Sequence, residues 1–143
     1  MIILQMPFCG QSGYTLTHRR GLKEEYLQKQ AMHHLFRGLD YMHTKGILHL
    51  DPKPENVFYH AGHWVLGDLG NAQFETNVRG RKHYTSYYRN PMAAINVPSK
   101  NTDIFATALT VRELITGYPL YKNDDNNFTI EALAAGLEKS NYN

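Results

Sequence analysis

His49-Leu50-Asp51-Pro52-Lys53-Pro54-Glu55-Asn56, followed by Asp68-Leu69-Gly70, is the stretch on which the reading of this chain turns. Taken alone, neither piece says much: Lys-Pro-Glu-Asn suits a capped loop, and Asp-Leu-Gly is a common turn. Their order, and what stands on either side of them, carries more.

Upstream, over residues 24–42, Leu27, Ala31, Leu35, Leu39 and Met42 recur at intervals of three or four. That spacing predicts a long helix with one apolar face, with Lys29, His33 and Arg37 placed elsewhere and Gly46 marking the exit. Between the two motifs, Val57-Phe58-Tyr59 and Trp64-Val65-Leu66 are β-rich triplets, which predicts a hairpin with Gly62 in its turn and His60 and His63 as turn residues. Such a hairpin brings Asn56 and Asp68 to one end. Downstream, residues 71–86 are polar and aperiodic, and Asp103 then opens a helix that is apolar around most of its circumference and should be buried, ending at Gly117 and Pro119. Ile2-Ile3-Leu4 reads as a buried strand that passes into a loop, and Ile130, Leu133, Ala134 and Leu137 form a last amphipathic stretch.

In this order the motifs resemble the catalytic loop and the Asp-Phe-Gly motif of eukaryotic-type serine/threonine protein kinases. The family writes the loop His-Arg-Asp-Leu-x-x-x-Asn, and this chain keeps His49, Asp51 and Asn56, with the Lys53-Pro54-Glu55 of the serine/threonine branch. Thr85-Ser86-Tyr87-Tyr88-Arg89-Asn90-Pro91-Met92 resembles Thr-x-x-Tyr-Arg-x-Pro-Glu, with Met92 in place of the glutamate. Asp103 to Ala108 stands where the family has Asp-x-Trp-Ser-x-Gly. One run, residues 67–74, is also similar to a stretch of some herpesvirus kinases, which hints at a viral source.

The resemblance implies a fold that is α+β and mainly α: a kinase-like C-terminal lobe, with a short β-hairpin beside the catalytic loop. It divides residues 1–143 into a hinge strand 1–8, a catalytic loop 49–56, an activation segment 68–92 and a buried helix 103–116. It also implies ATP and Mg²⁺ as cofactors. Asp51 would accept the hydroxyl proton, Lys53 would contact the transferring phosphate, and Asn56 and Asp68 would coordinate Mg²⁺ through oxygen. Gln5, Met6 and Pro7 would face the adenine, and Gly70 would permit the tight turn behind Asp68.

The departures from the family pattern bear on activity. Leu50 replaces an arginine that in many kinases pairs with a phosphorylated activation loop, so phosphorylation of Thr76, Thr85 or Ser86 would lack that partner. Pro52 replaces leucine and restricts Asp51, which either presets the loop or displaces it. The chain contains neither a Gly-x-Gly-x-x-Gly loop nor a Val-Ala-Ile-Lys strand. The expectation is therefore a truncated domain without its small lobe, taking a protein substrate and a small-lobe partner from elsewhere. The alternatives are a catalytically inactive, pseudokinase-like binding module or decoy, and a gene fragment.

Composition narrows the classes. Hydrophobic residues at 42% and charged residues at 20% give a globular balance with a modest core. A net charge of +2 is too weak an electrostatic footprint for nucleic acid, and the basic run at residues 79–83 reads as a solvated loop. The apolar N-terminus is interrupted by Pro7 and too short to span a bilayer, so no membrane role is expected. The single cysteine, Cys9, points to a reducing, intracellular compartment, cytoplasmic or nuclear and in a host cell if the source is viral.

Overall fold

The computed structural model describes residues 10–78 and 97–119. The expected hinge strand, the basic run, the segment from Thr85 to Met92 and the stretch at residues 130–137 lie outside the described residues.

Helices dominate. In chain order the elements are α1 (Gly13–Thr17), α2 (Glu25–Thr44), β1 (Ile47–Leu48), β2 (Val57–His60), β3 (His63–Leu66), β4 (Gln73–Phe74) and α3 (Lys100–Thr116), with short 3₁₀ turns at Pro54–Asn56, Leu69–Asn71 and Glu75–Asn77. β2 and β3 form the expected antiparallel hairpin, in the register Val57↔Leu66 to His60↔His63. Its turn is tightened to Ala61 and Gly62, both left-handed at φ 49° and 81°, as a two-residue turn matching the strand twist requires.

α2 presents Ala31, Leu35 and Leu39 as one buried stripe. These pack with Val57 and Trp64 of the hairpin and with Val111 and Leu114 of α3, so one small core joins three elements, and Leu16, Leu22, Phe36, Leu66 and Ile115 close its edges. Truncating Leu35 or Leu114 to alanine in such a core costs about 2–5 kcal/mol.

Four features differ from the sequence expectation. α3 begins at Lys100 rather than Asp103, because Thr102 Oγ1 accepts the Ser99 N–H at 3.0 Å and starts the helix a turn earlier. Its apolar residues do not all bury: Ile104 is 45% exposed, and threonines at 107 and 110 are fully buried instead. The segment after Asp68 is not wholly irregular, since β4 pairs antiparallel with β1 through Ile47↔Phe74 and Leu48↔Gln73. α1 was not foreseen either; Ser12 caps it, its hydroxyl accepting the Thr15 N–H at 3.2 Å.

Candidate functional site: the loop around Asp51

The 49–56 loop hangs between β1 and β2, and its conformation is set from outside. The Asp103 carboxylate, fully buried on α3, accepts the backbone N–H of His49 through Oδ2 and that of Leu50 through Oδ1, each at 2.8 Å. Oδ2 also accepts the Nε2–H of His43, the buried last-turn histidine of α2, at 2.9 Å. One side chain thus ties α2, α3 and the loop together. Leu50 sits at φ 67°, a left-handed conformation costing about 1–2 kcal/mol for a residue with a β-carbon, and the Asp103 bonds hold it there.

His49 extends the tie to the second motif. Its Nδ1 accepts the N–H of Asp51 at 3.1 Å, so its proton lies on Nε2, which donates to Gly67 O at 2.9 Å. Gly67 N in turn donates to Asn56 O at 2.7 Å, continuing the hairpin ladder by one rung.

Around Asp51 the donors converge. Asn56 Nδ2 reaches both the backbone oxygen of Asp51, at 2.9 Å, and its carboxylate Oδ2, at 3.0 Å. Asn71 Nδ2 donates to the same Oδ2 at 3.2 Å, and Lys53 Nζ stands 3.6 Å from it. Asp51 and Asn56 are buried, while Lys53 is half-buried. The structure therefore brings Asp51, Lys53 and Asn56 together. Pro52, between Asp51 and Lys53, is fully buried.

Asp68 is placed differently. It lies at the hairpin end next to Asn56 but is exposed, and its Oδ1 accepts the Gly70 N–H at 3.2 Å. Asp68 itself takes the left-handed conformation, at φ 51°, so the turn does not rest on Gly70 having that freedom. A β-carbon at Gly70 would stand 3.1 Å from Asp68 Oδ1, and close approach is what the glycine provides. Gln5, Met6 and Pro7 fall outside the described residues.

As oxygen donors, Asn56 and Asp68 fit a hard divalent ion. Asn56 uses its amide nitrogen on Asp51, which leaves the amide oxygen for a cation, and Asp68 offers an exposed carboxylate.

The sequence model of the protein kinase domain matches residues 1–141. This chain belongs to the eukaryotic-type protein kinase family. The kinase-family chain is 30% identical over 135 residues to the Wee1-like protein kinase of Arabidopsis thaliana, an overlap of 91% of this chain and 27% of that relative. It is 34% identical over 110 residues to mitogen-activated protein kinase 4 of Rattus norvegicus, covering 70% of this chain and 40% of the relative. The matched part is thus less than half the length of either curated relative. As a family, protein kinases use ATP and Mg²⁺ and act on proteins.

Sequence reasoning missed three residues of this kinase site: Asp103 and His43 as anchors, and Asn71 as a donor to Asp51. Asp103 left a signal, a carboxylate in the first turn of the helix followed by eight residues without charge, 104–111. Asn71 left none, since it lies just outside the Asp-Leu-Gly motif.

No helix among the described residues is long and apolar enough to cross a membrane.

Proposed function

We propose that this chain supplies the C-terminal-lobe part of a serine/threonine protein kinase, and that the 49–56 loop with Asp68 carries phosphoryl transfer from ATP to a protein hydroxyl. The observation that supports this most is the convergence of Asn56, Asn71 and Lys53 on Asp51 Oδ2. A carboxylate oriented in this way can accept a hydroxyl proton as the oxygen attacks phosphorus, the kind of general-base help worth about 10²–10⁴ in rate. Lys53 brings a positive charge to where charge develops on the transferring group. Asn56 and Asp68 are the residues to hold Mg²⁺, which when bound neutralises phosphate charge. Gly-rich phosphate-covering sequence is not among the 143 residues, so the reaction needs that element from another segment or chain.

Leu50 is 3% exposed and offers no cation to a phosphorylated loop, so control by phosphorylation of Thr76, Thr85 or Ser86 is disfavoured. Leu50 and Met92 favour a second reading, a non-catalytic module or decoy that occupies kinase partners or substrates.

Calorimetric titration of Mg-ATP into the chain, beside Asp68→Ala, separates the two. Binding that is lost in the variant, followed by peptide phosphorylation once a kinase small lobe is added and its loss in Asp51→Asn, is the expected result. A folded chain that binds no Mg-ATP puts the second reading in front, and transfer undiminished in Asp51→Asn refutes the assigned role of Asp51.

A further inference from the structure

At the opposite end of the hairpin from Asn56, roughly 10 Å along the strands, α2 and β3 enclose a surface cavity of about 400 Å³. Its lining is His33, His34 and Arg37 from α2 with His63, Trp64 and Val65 from β3. None of these is acidic, and the rings of His34 and His63 lie 4.8 Å apart, centre to centre, with those of His33 and His34 at 6.0 Å. Imidazoles and a guanidinium gathered without a carboxylate form a cationic or donor-rich concavity, which attracts an anion.

The hydrogen bonds say which kind of ligand fits. His34 Nδ1 accepts the backbone N–H of Trp64 at 3.2 Å, so the ring carries its proton on Nε2 and presents a donor there. A metal ion would need that nitrogen's lone pair and is disfavoured; an oxyanion needs the N–H. Burial, then His63, then His33 hold His34 below the ordinary histidine range, which keeps it in this neutral donor form. Trp64 is 4% exposed and meets the cavity as part of its floor. Arg37 is exposed and supplies a planar fork suited to a phosphate.

We propose that this cavity is a second binding site, for a phosphomonoester carried on a peptide side chain, with Arg37 and His63 as its exposed donors and His34 and Trp64 at its floor. The volume decides between a bare ion and a side chain. About 400 Å³ is in the range of ligand pockets and several times what an oxyanion alone fills, and Val65 and the Trp64 ring give the surplus an apolar wall. The site would recruit phosphorylated proteins whether or not the Asp51 loop is active.

The test is calorimetric titration of the 143-residue chain with four probes: a phosphoserine pentapeptide, its serine and glutamate counterparts, and inorganic phosphate. The phosphopeptide should bind, the serine peptide should not, and glutamate and inorganic phosphate should each bind at least about tenfold more weakly. Arg37→Gln and His63→Gln, both at exposed positions that should leave the melting temperature unchanged, should each weaken the phosphopeptide about tenfold or more, as loss of a charge-assisted bond does. Absence of binding, or binding indifferent to both substitutions, overturns the site. Binding abolished by Lys53→Ala places the phosphopeptide at the Asp51 loop instead and overturns it too. Equal affinity for inorganic phosphate overturns the peptide assignment, and tight Zn²⁺ binding lost in His63→Gln overturns the choice of an anion.

Discussion

Asp103 shapes the loop carrying Asp51, and Asp103→Asn tests this with almost no change of volume. Asp103 is fully buried and accepts three hydrogen bonds, two from backbone N–H groups at 2.8 Å and one from His43 at 2.9 Å. An asparagine must put its NH₂ where one of the two oxygens was. At the Oδ2 position it would face both His49 N–H and His43; at the Oδ1 position it faces Leu50 N–H alone, the cheaper arrangement. Leu50 N–H then has no acceptor, at about 1–3 kcal/mol, and the two remaining bonds lose their charge assistance, for roughly 1 kcal/mol more. Removing a buried negative charge recovers some desolvation energy, but such recovery offsets the loss only when the donors are removed as well.

The net expectation is a loss of about 2–4 kcal/mol, against roughly 5–15 kcal/mol of stability for an ordinary domain. For a chain of 143 residues that lowers the melting temperature by about 6–15 °C. Thermal unfolding followed by circular dichroism measures it, and amide exchange at Leu50 should lose protection more than exchange within α2. A melting temperature within about 2 °C of the parent, with Leu50 still protected, would mean that Asp103 is not what holds the loop. Asp103→Ala, which leaves all three donors unpaired and opens a cavity, should scarcely fold.

Two further outcomes follow from local geometry. Gly117, at φ 84°, ends α3 with its Cα pressed on the loop after α1, where a β-carbon would stand 2.7 Å from Gly21 N and 2.8 Å from Arg20 N. Gly117→Ala should therefore cost about 3 kcal/mol or more by chemical denaturation, whereas Gly46→Ala, at φ 73° with nothing within 4 Å, should cost only about 1 kcal/mol; equal costs would show that the crowding at Gly117 is not real. His34 is held below its ordinary 6.5 by burial and by His63 and His33, so the unfolded chain takes up a proton that the folded chain refuses. Stability from this group is complete above about 6.5 and declines as pH falls below it, and His34→Gln should flatten that decline in melting temperature while lowering the plateau near pH 8 by loss of the acceptor for the backbone N–H of Trp64.

How much of this was legible beforehand varies with the range of the interaction. α2 was readable because its buried residues recur every four positions, and the hairpin because Gly62 punctuates two β-rich triplets. The left-handed Ala61 was not, since alanine carries no mark of that conformation. α1 has five residues and no apolar period, so only its Ser12 cap could have announced it. The motif residues of the site are legible through resemblance, and the structure places Asp51, Lys53 and Asn56 together and leaves Asp68 exposed. The anchors escaped because they are non-local: Asp103 grips N–H groups 53 and 54 positions away, and no periodicity reports a bond of that span.

That anchoring also explains how the loop tolerates its two departures from the family pattern. The contacts that fix it run through the N–H groups of His49, Leu50 and Asp51, the imidazole of His49 and the amide of Asn56, and none of these depends on the side chain at position 50. Replacing arginine by leucine there removes a cation without releasing the backbone, and the left-handed strain at Leu50 remains offset by the same two bonds from Asp103. The N–H anchors made by Asp103 and His49 end at Asp51, one residue before Pro52, which has no N–H to contribute. The atoms that position Asp51 are therefore separate from the side chain at position 50, and a substitution there leaves them in place.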